Sequence, residues 1–230
     1  MNLCIVPLNC CICFSYVILR RYIVNLVFKP HTMSLDLPKT ARFGTGRVHS
    51  DLNAKLRPYQ RDGVSFLWDR VGRDAGGILC DDMGLGKTVQ VIALLSALYE
   101  KTGTPEDKRL ITMMKLEDRR VEPSLVICPG SVLCNWEAEL NTWGQFYHLR
   151  YHRQERAATL TQARDGRVEV VLTTFDTVRE YSESLASVAW KVVIADECHK
   201  IKEVSSGVTR ALKSLPARAR VGLTGTALQN

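Results

Sequence analysis

A chain of 230 residues with 46% hydrophobic and 24% charged residues is long and apolar enough to bury one core of good size, so one globular domain with appendages is expected. The net charge of +7 favours a polyanionic partner, because lysine and arginine gain affinity by releasing counterions from phosphate backbones. Four of the eight cysteines lie within the first 13 residues and the others are scattered through apolar runs. This distribution excludes a disulfide framework and indicates reduced thiols in an intracellular protein.

Residues 1–34 differ in composition from everything that follows. The run Leu3–Leu19 is nearly uncharged, but it is interrupted by Pro7 and Asn9 and is shorter than the about 20 apolar residues of a membrane-spanning helix. It also lacks a cleavage site of small residues. We interpret 1–34 as a hydrophobic, cysteine-rich leader from a mis-assigned start, with Met33 as the initiator. A membrane anchor is the weaker alternative, and we expect no membrane association.

Residues 35–54 are polar and basic with interspersed proline and glycine, which predicts a linker. The domain itself is predicted to span 55–230, where apolar runs alternate with helical patterns over 88–99 and 132–143. Such alternation requires right-handed crossovers and predicts an α/β fold, an open and mostly parallel sheet with helices on both faces. The predicted strands, apolar enough to be buried on both faces, are Gly77–Cys80, Ser124–Cys128, Val168–Leu172, Lys191–Ala195 and Ala219–Leu223.

One charged segment, residues 101–123, interrupts this alternation. It contains Gly103 and Pro105 and separates the first long helix from the second predicted strand. We interpret it as a surface insertion, because loops of this length without periodicity are more often functional than structural.

The sequence Asp-Asp-Met-Gly-Leu-Gly-Lys-Thr at 81–88 follows a predicted strand and begins an apolar helix, which is the setting of a phosphate-binding loop. Glycines allow backbone N–H groups to surround a phosphate, and the helix start adds partial positive charge. Lys87 would reach the β- and γ-phosphates of ATP, and the Thr88 hydroxyl would bind Mg²⁺. The strict pattern has glycine at Asp81, so an ordinary strand-to-helix turn is the alternative. The predicted nucleotide-binding residues of this loop are Asp82, Met83, Gly84, Leu85, Gly86, Lys87 and Thr88.

A second motif, Val-Val-Ile-Ala-Asp-Glu at 192–197, is an apolar strand that ends in two carboxylates. Paired acids at the carboxyl end of a strand are typical of the magnesium-binding and water-activating part of a P-loop enzyme. Asp196 is therefore predicted to bind the metal and Glu197 to orient and deprotonate the attacking water. A solvated acidic pair at a strand end is the alternative. The predicted catalytic residues are Lys87, Asp196 and Glu197.

The sequences Asp-Glu-Cys-His at 196–199 and Leu-Thr-Gly-Thr-Ala-Leu-Gln-Asn at 223–230 resemble the second and third signature motifs of superfamily-two helicase-like ATPases. The Swi/Snf branch fits best, because its phosphate-binding loop typically reads Asp-Glu-Met-Gly-Leu-Gly-Lys-Thr. Asp81 then belongs to the family pattern and Asp82 departs from it conservatively. Cys198 and Ala227 depart where the family commonly has alanine and proline.

The resemblance assigns further roles. Leu-Arg-Pro-Tyr-Gln at 56–60 resembles the motif in which a glutamine recognises adenine, which implies that role for Gln60. Cys-Pro-Gly-Ser at 128–131 and Thr-Thr-Phe at 173–175 resemble motifs that contact DNA, and the residues after these strands can also offer N–H and hydroxyl groups to phosphates. The implied DNA contacts are Pro129, Gly130, Ser131, Thr173 and Thr174. Residues expected to couple the nucleotide site to the DNA face are His199, Thr224, Gly225 and Thr226. Trp136 and Trp143, spaced on one apolar face, are assigned to the core.

The resemblance implies the ATP-binding first lobe of a DNA-dependent ATPase and double-stranded DNA translocase. ATP and Mg²⁺ are the implied cofactors, double-stranded DNA and chromatin or repair proteins the implied partners, and the nucleus the implied location. Residues 101–107 and 141–144 resemble the excision-repair cross-complementing, six-like branch, which points to DNA repair or chromatin remodelling. The remaining family motifs, including the arginine finger of the second lobe, do not occur in the 230 residues, so this lobe alone is expected to hydrolyse ATP poorly. The alternative is a non-catalytic truncated product that binds nucleotide or DNA and interferes.

Overall fold

The computed structural model describes residues 4–6, 14–20, 33–107, 120–201 and 206–225. Their strands are β1 (Cys4–Val6), β2 (Phe14–Arg20), β3 (Leu35–Thr40), β4 (Gly44–Val48), β5 (Gly76–Asp81), β6 (Ser124–Cys128), β7 (His148–Arg150), β8 (Val170–Thr174), β9 (Trp190–Ala195) and β10 (Ala217–Leu223). Their helices are α1 (Ser50–Asn53), α2 (Pro58–Gly72), α3 (Lys87–Leu98), α4 (Leu133–Trp143), α5 (Arg156–Arg164), α6 (Phe175–Glu180), α7 (Ser182–Leu185) and α8 (Gly207–Ser214). Single 3₁₀ turns lie at Gly130–Val132, Arg153–Glu155 and Cys198–Lys200.

The main sheet has the strand order β1-β2-β5-β10-β9-β6-β8-β7. Six neighbouring strands of this order are all parallel, namely β5, β10, β9, β6, β8 and β7. The central strand β9 is flanked by β10 and β6. This confirms the predicted α/β fold with an open, mostly parallel sheet. Because β5, β10 and β9 lie side by side, the segments that follow their carboxyl ends meet at one edge of the sheet.

Side chains of the central strands pack alternately on two core clusters, one on each face of the sheet. On β9, Val192 and Ile194 belong to the cluster that includes residues of α2, α3 and α4, whereas Val193 and Ala195 belong to the cluster that includes residues of α5 and α8. Helices on both faces leave no solvent-facing side in the middle of the sheet. This is why the strand sequences are continuously apolar instead of alternating.

The five predicted strands are all present, and their boundaries differ from the prediction by at most two residues. The largest differences are a start at Val170 instead of Val168, an end at Thr174 instead of Leu172, and a start at Ala217 instead of Ala219. The short edge strand His148–Arg150 was not predicted, because three residues of mixed polarity carry no periodic signal.

Residues 35–48 form a β-hairpin packed on the domain, so their interpretation as part of a linker is wrong. Leu37 and Val48 are 2% and 0% exposed and belong to the core cluster around α2 and α3. The indole N–H of Trp68 donates to the carbonyl of Pro38 at 2.8 Å. A Cβ on Gly46 would lie 2.5 Å from the Trp68 ring. Two buried apolar side chains and one glycine therefore anchor the hairpin, and Leu35 and Phe43 pack against the same cluster while partly exposed.

Replacing Leu37 with alanine should lower the free energy of unfolding by about 3 kcal/mol, because a fully buried leucine is truncated in a packed core. Urea unfolding followed by circular dichroism measures the change. Thr45→Ala is the matched control, since Thr45 is exposed on the same hairpin. Equal stability of the two variants would show that the hairpin contributes nothing to the core.

Part of the predicted leader belongs to the main sheet. Phe14–Arg20 is a strand that pairs in parallel with β5, and Cys4–Val6 pairs antiparallel with that strand. The interpretation of 1–34 as a leader did not predict that any of these residues belong to the sheet. The aromatic and β-branched residues of Phe14–Arg20 nevertheless have the composition of a strand. The proposed initiator at Met33 stays a prediction. Among the described residues, no helix combines the length and apolar character needed to cross a bilayer.

The first residue of the predicted insertion at 101–123, Lys101, is buried, whereas residues 102 and 104–106 are exposed as expected of a surface segment. The ammonium group of Lys101 lies 2.7 Å from the carboxylate of Glu169, and both side chains are less than 5% exposed. The hydroxyl of Tyr99 contacts Ser124 Oγ at 2.7 Å in the same region. These polar contacts fasten the end of α3 to the beginnings of β6 and β8. Residues 108–119 lie outside the described part of the chain.

Candidate nucleotide site and DNA-contact residues

The loop between β5 and α3 has the backbone of a phosphate-binding loop. Gly84 and Gly86 have φ values of +80° and +75°, in the left-handed region that favours glycine. A Cβ on Gly86 would also lie 2.5 Å from the Gln60 amide nitrogen. The Lys87 ammonium donates to the carbonyls of Asp81 and Asp82 at 2.8 and 3.2 Å, so it lies over the loop. Backbone and cation together can bind an anion at the start of α3.

Asp81 is the buried last residue of β5 and does not face the loop. Its Oδ2 accepts a hydrogen bond from the side-chain amide of Gln90 at 2.8 Å. This bond ties the end of the strand to the second turn of α3. The position that is glycine in the strict phosphate-loop pattern therefore has a supporting role here.

Gln60 lies against the same loop from α2. Its Nε2 donates to the carbonyl of Leu85 at 3.0 Å, and its Oε1 accepts from the backbone N–H of Arg57 at 2.8 Å. The Tyr59 hydroxyl donates to the same Leu85 carbonyl at 3.1 Å. The side chain of Gln60 is thus oriented at both ends next to the phosphate-binding loop, and adenine recognition by it stays a prediction.

The two carboxylates after β9 are held differently. Asp196 accepts two hydrogen bonds of 2.9 Å, from the Trp136 indole at Oδ2 and from the Glu197 backbone N–H at Oδ1. Glu197 has a φ of +52°, which is uncommon for a residue with a side chain. Its carboxylate lies 3.1 Å from Nδ1 of His199. Asp196 is thus held at both of its carboxylate oxygens, whereas Glu197 contacts the imidazole of His199.

The phosphate-binding loop and the acidic pair open into one cleft of about 480 Å³. Lys87 and Thr88 line it from α3, and Asp196 and Glu197 line it from the segment after β9. A cation, a hydroxyl and two carboxylates around left-handed glycines fit a magnesium-bound nucleotide. The structure thus brings the predicted catalytic and metal-binding residues together, while their chemical roles stay predictions. Also lining the cleft are Lys55, Arg57, Gln60, Met83, Gly84, Gly86, Val89, Glu139 and Trp143.

Sequence reasoning missed part of this cleft. Trp143 packs against the core cluster, but it is only half-buried and also lines the cleft, which its assignment to the core did not predict. Its indole donates to the carboxylate of Glu139 one turn earlier on α4. Lys55 directly precedes the motif that contains Gln60 and Arg57 lies within it, and that proximity is the signal that could have identified them. Trp136 is buried as predicted, at 1% exposure.

Residues predicted to couple nucleotide and DNA lie between the ends of β9 and β10. His199 Nδ1 lies 3.4 Å from the hydroxyl of Thr224, and Glu197 contacts the same nitrogen. The backbone N–H of Thr224 donates to the carbonyl of Leu79 on β5 at 3.1 Å. A Cβ on Gly225 would lie 3.0 Å from the Met83 side chain. These contacts connect three neighbouring strand ends, and Thr226 lies outside the described residues.

The predicted DNA contacts separate into an exposed group and one buried residue. Gly130 and Ser131 are exposed in the 3₁₀ turn after β6, and Pro129 precedes them. Thr174 is half-buried and caps α6, where its hydroxyl accepts from the Thr177 N–H at 3.3 Å. A Cβ on Gly130 would lie 3.9 Å from Thr174, so the two segments are neighbours.

Thr173 does not belong to this surface, and its prediction as a DNA contact is wrong. The residue is 0% exposed, and its hydroxyl donates to the carbonyl of Tyr151 at 3.1 Å. Alternation along β8 points Thr173 into one face of the sheet and leaves Thr174 at the strand end.

Within the described part of the chain, Cys80, Cys128, Cys134 and Cys198 form no disulfide bond. Burial raises the pKa of both Cys80 and Cys128 to about 12, and nearby carboxylates add to the effect. These two thiols therefore stay protonated at neutral pH.

Comparisons with known proteins agree with this fold. The chain is 40% identical to Switch 2 of Arabidopsis thaliana over 184 residues, which cover 80% of this chain and 21% of that protein. It is 41% identical to the DNA excision repair protein ERCC-6-like 2 of Mus musculus over 187 residues, which cover 78% of this chain and 12% of that protein. The chain therefore spans about a fifth or less of the length of these curated relatives.

A solved structure, the Sulfolobus solfataricus SWI2/SNF2 ATPase core in complex with dsDNA, superimposes with a TM-score of 0.61 at 33% identity. The match covers 77% of this chain and 33% of that one. The model of the SNF2-related domain matches residues 59–230, which include every predicted site residue. With its parallel sheet, its glycine loop and its acidic pair in one cleft, the chain belongs to the SNF2-related domain family.

Proposed function

We propose that this chain is the ATP-binding first lobe of a DNA-dependent ATPase that translocates on double-stranded DNA in repair or chromatin remodelling in the nucleus. The single observation that supports this most is the shared cleft of Lys87, Asp196 and Glu197. The relatives named for excision repair and the structural relative in complex with dsDNA support the substrate and the setting.

The residues of the cleft are proposed to have separate roles in phosphoryl transfer. The loop backbone at Gly84 and Gly86 and the Lys87 ammonium would bind the phosphates, with Thr88 and Asp196 as magnesium ligands. Magnesium, when bound, would neutralise part of the negative charge of the phosphates. Glu197 then holds the attacking water and accepts its proton, for which its position after the rigid Asp196 is suited.

Gln60 is proposed to bind the adenine edge. Its amide already donates to the Leu85 carbonyl and accepts from the Arg57 N–H, so a bound base would compete for these two bonds. Such an exchange would link occupancy by adenine to the position of the loop.

The exposed turn Pro129–Ser131 and Thr174 are proposed to contact one strand of the DNA backbone. N–H and hydroxyl donors at strand ends can hold phosphates, which positions a duplex without reading its bases. His199, between Glu197 and Thr224, is proposed to connect the water-activating carboxylate to the end of β10.

Lys87→Ala should weaken binding of Mg²⁺·ATP to the 230-residue chain about tenfold to hundredfold, because a charge-assisted hydrogen bond to phosphate is lost. Isothermal titration calorimetry measures the dissociation constant. Lys213→Ala is the control, since Lys213 is exposed on α8 and does not line the cleft. Equal affinity of the Lys87→Ala variant and the wild type would contradict the assignment of the cleft to ATP.

A further inference from the structure

The Asp196 carboxylate is oriented by a side chain 60 positions earlier in the sequence. The Trp136 indole N–H donates to Oδ2 at 2.9 Å, while the backbone N–H of Glu197 donates to Oδ1. The backbone bond is local and would accompany many conformations of the strand end. The indole bond is not local, so it fixes the direction of the carboxylate relative to the body of the domain.

The donor itself is immobile. Trp136 is 1% exposed and belongs to the core cluster on the α3 and α4 side of the sheet, together with Leu133 and Leu140 of its own helix. A ring packed on all sides has one orientation available, and its N–H points at the Asp196 carboxylate. Helix α4 therefore presents a fixed donor to the carboxyl end of β9.

Resting on the proposed function, we propose that Trp136 is a positioning residue of the magnesium site, whose indole N–H holds Asp196 in the orientation that binds the metal. Metal-ligating carboxylates depend on such outer hydrogen bonds, and loss of one typically costs about 10- to 100-fold in metal affinity. Trp136 touches neither nucleotide nor metal in this role, so its effect should appear in metal dependence and not in metal-free nucleotide binding.

Trp136→Phe removes the donor and keeps an aromatic ring in the core. We expect the Mg²⁺ concentration that gives half-maximal strengthening of ADP binding to rise about tenfold, while ADP affinity in EDTA stays within about twofold. Calorimetric titrations of the 230-residue chain over a Mg²⁺ series measure both quantities. The EDTA arm also shows that the variant is folded.

Trp190→Phe is the matched control. Trp190 is equally buried, starts the same strand that ends next to Asp196, and donates its indole N–H to the Leu185 carbonyl at 3.0 Å, away from the cleft. The Trp190→Phe variant loses the same ring atoms and one hydrogen bond as Trp136→Phe, so it measures the effect of a damaged core alone. We expect its Mg²⁺ dependence to match the wild type.

Two further measurements separate positioning from packing. In an Asp196→Ala background, Trp136→Phe should change the Mg²⁺ dependence no further, because the interaction partner is already gone. The chain contains four tryptophans, and the Trp136 indole signal in a nitrogen-15 spectrum should shift when Mg²⁺ is added to the ADP-bound chain, whereas that of Trp190 should not.

The outcomes of these experiments test the positioning role of Trp136 separately from the proposed function. If Mg²⁺ strengthens ADP binding in the wild type but Trp136→Phe and Trp190→Phe behave alike, the positioning role is wrong and the nucleotide site stands. Additive effects of Trp136→Phe and Asp196→Ala would overturn it equally. If Mg²⁺ has no effect on ADP binding by the wild type, the proposed function itself fails.

Discussion

Glu197→Gln should lower double-stranded-DNA-stimulated ATP hydrolysis by about 10²- to 10⁴-fold, the usual contribution of a general base. Glutamine keeps the size of the side chain and a hydrogen-bond acceptor, but it cannot take a proton from water. The measurement is steady-state phosphate release by a protein in which this lobe is followed by the second lobe. ATP binding should be nearly unchanged, because Glu197 is not assigned to the phosphates.

Glu183→Gln serves as the control for this experiment, since Glu183 is exposed on α7 and does not line the cleft. Lys87→Ala should also abolish turnover, but through weaker ATP binding. Turnover that is unchanged in both Glu197→Gln and Lys87→Ala would defeat the assigned chemistry. A fall in Glu197→Gln that is matched by a loss of ATP affinity would instead place Glu197 among the binding residues.

Lys101→Met should lower the free energy of unfolding by about 3–5 kcal/mol, because it leaves a buried carboxylate without its cation. Lys101 and Glu169 are 3% and 4% exposed and 2.7 Å apart. The Lys101 ammonium also lies 5.2 Å from the centre of the Phe146 ring, so the pair is enclosed by apolar surface. Urea unfolding monitored by circular dichroism gives the change.

Adding Glu169→Gln to Lys101→Met should restore more than half of the lost stability. The second change removes the uncompensated charge, and glutamine keeps an oxygen that can accept the Tyr147 N–H, which Glu169 accepts at 3.0 Å. A double variant no more stable than Lys101→Met would mean that the loss comes from packing around the lysine stem instead of from charge.

Sequence periodicity was sufficient for the central sheet and for the two motifs of the cleft. A strand buried on both faces must be continuously apolar, and parallel strands with crossover helices bring their carboxyl ends to one edge. The glycine loop before Lys87 and the acids at 196–197 could therefore be expected to meet without knowledge of any contact. The left-handed backbone at Gly84 and Gly86 is likewise indicated by the sequence, because glycine is the residue that favours positive φ.

Individual side-chain environments could not be predicted in this way. Thr173 and Thr174 are identical in type, yet alternation along β8 buries the first and leaves the second at the strand end. Trp136 and Trp143 share one helix face, but Trp136 is 1% exposed whereas Trp143 is half-buried and lines the cleft. The hairpin at 35–48 was missed because two buried residues are too few for a periodic signal.

What the sequence determined by itself is the five central strands and the chemical groups placed at their ends, since both follow from local periodicity and local motifs. Only the tertiary structure decided which of those groups touch one another. The bond from Trp136 to Asp196 and the pair of Lys101 and Glu169 join residues 60 and 68 positions apart. Contacts at such separation depend on how whole helices pack on the sheet, and no short stretch of sequence contains that information.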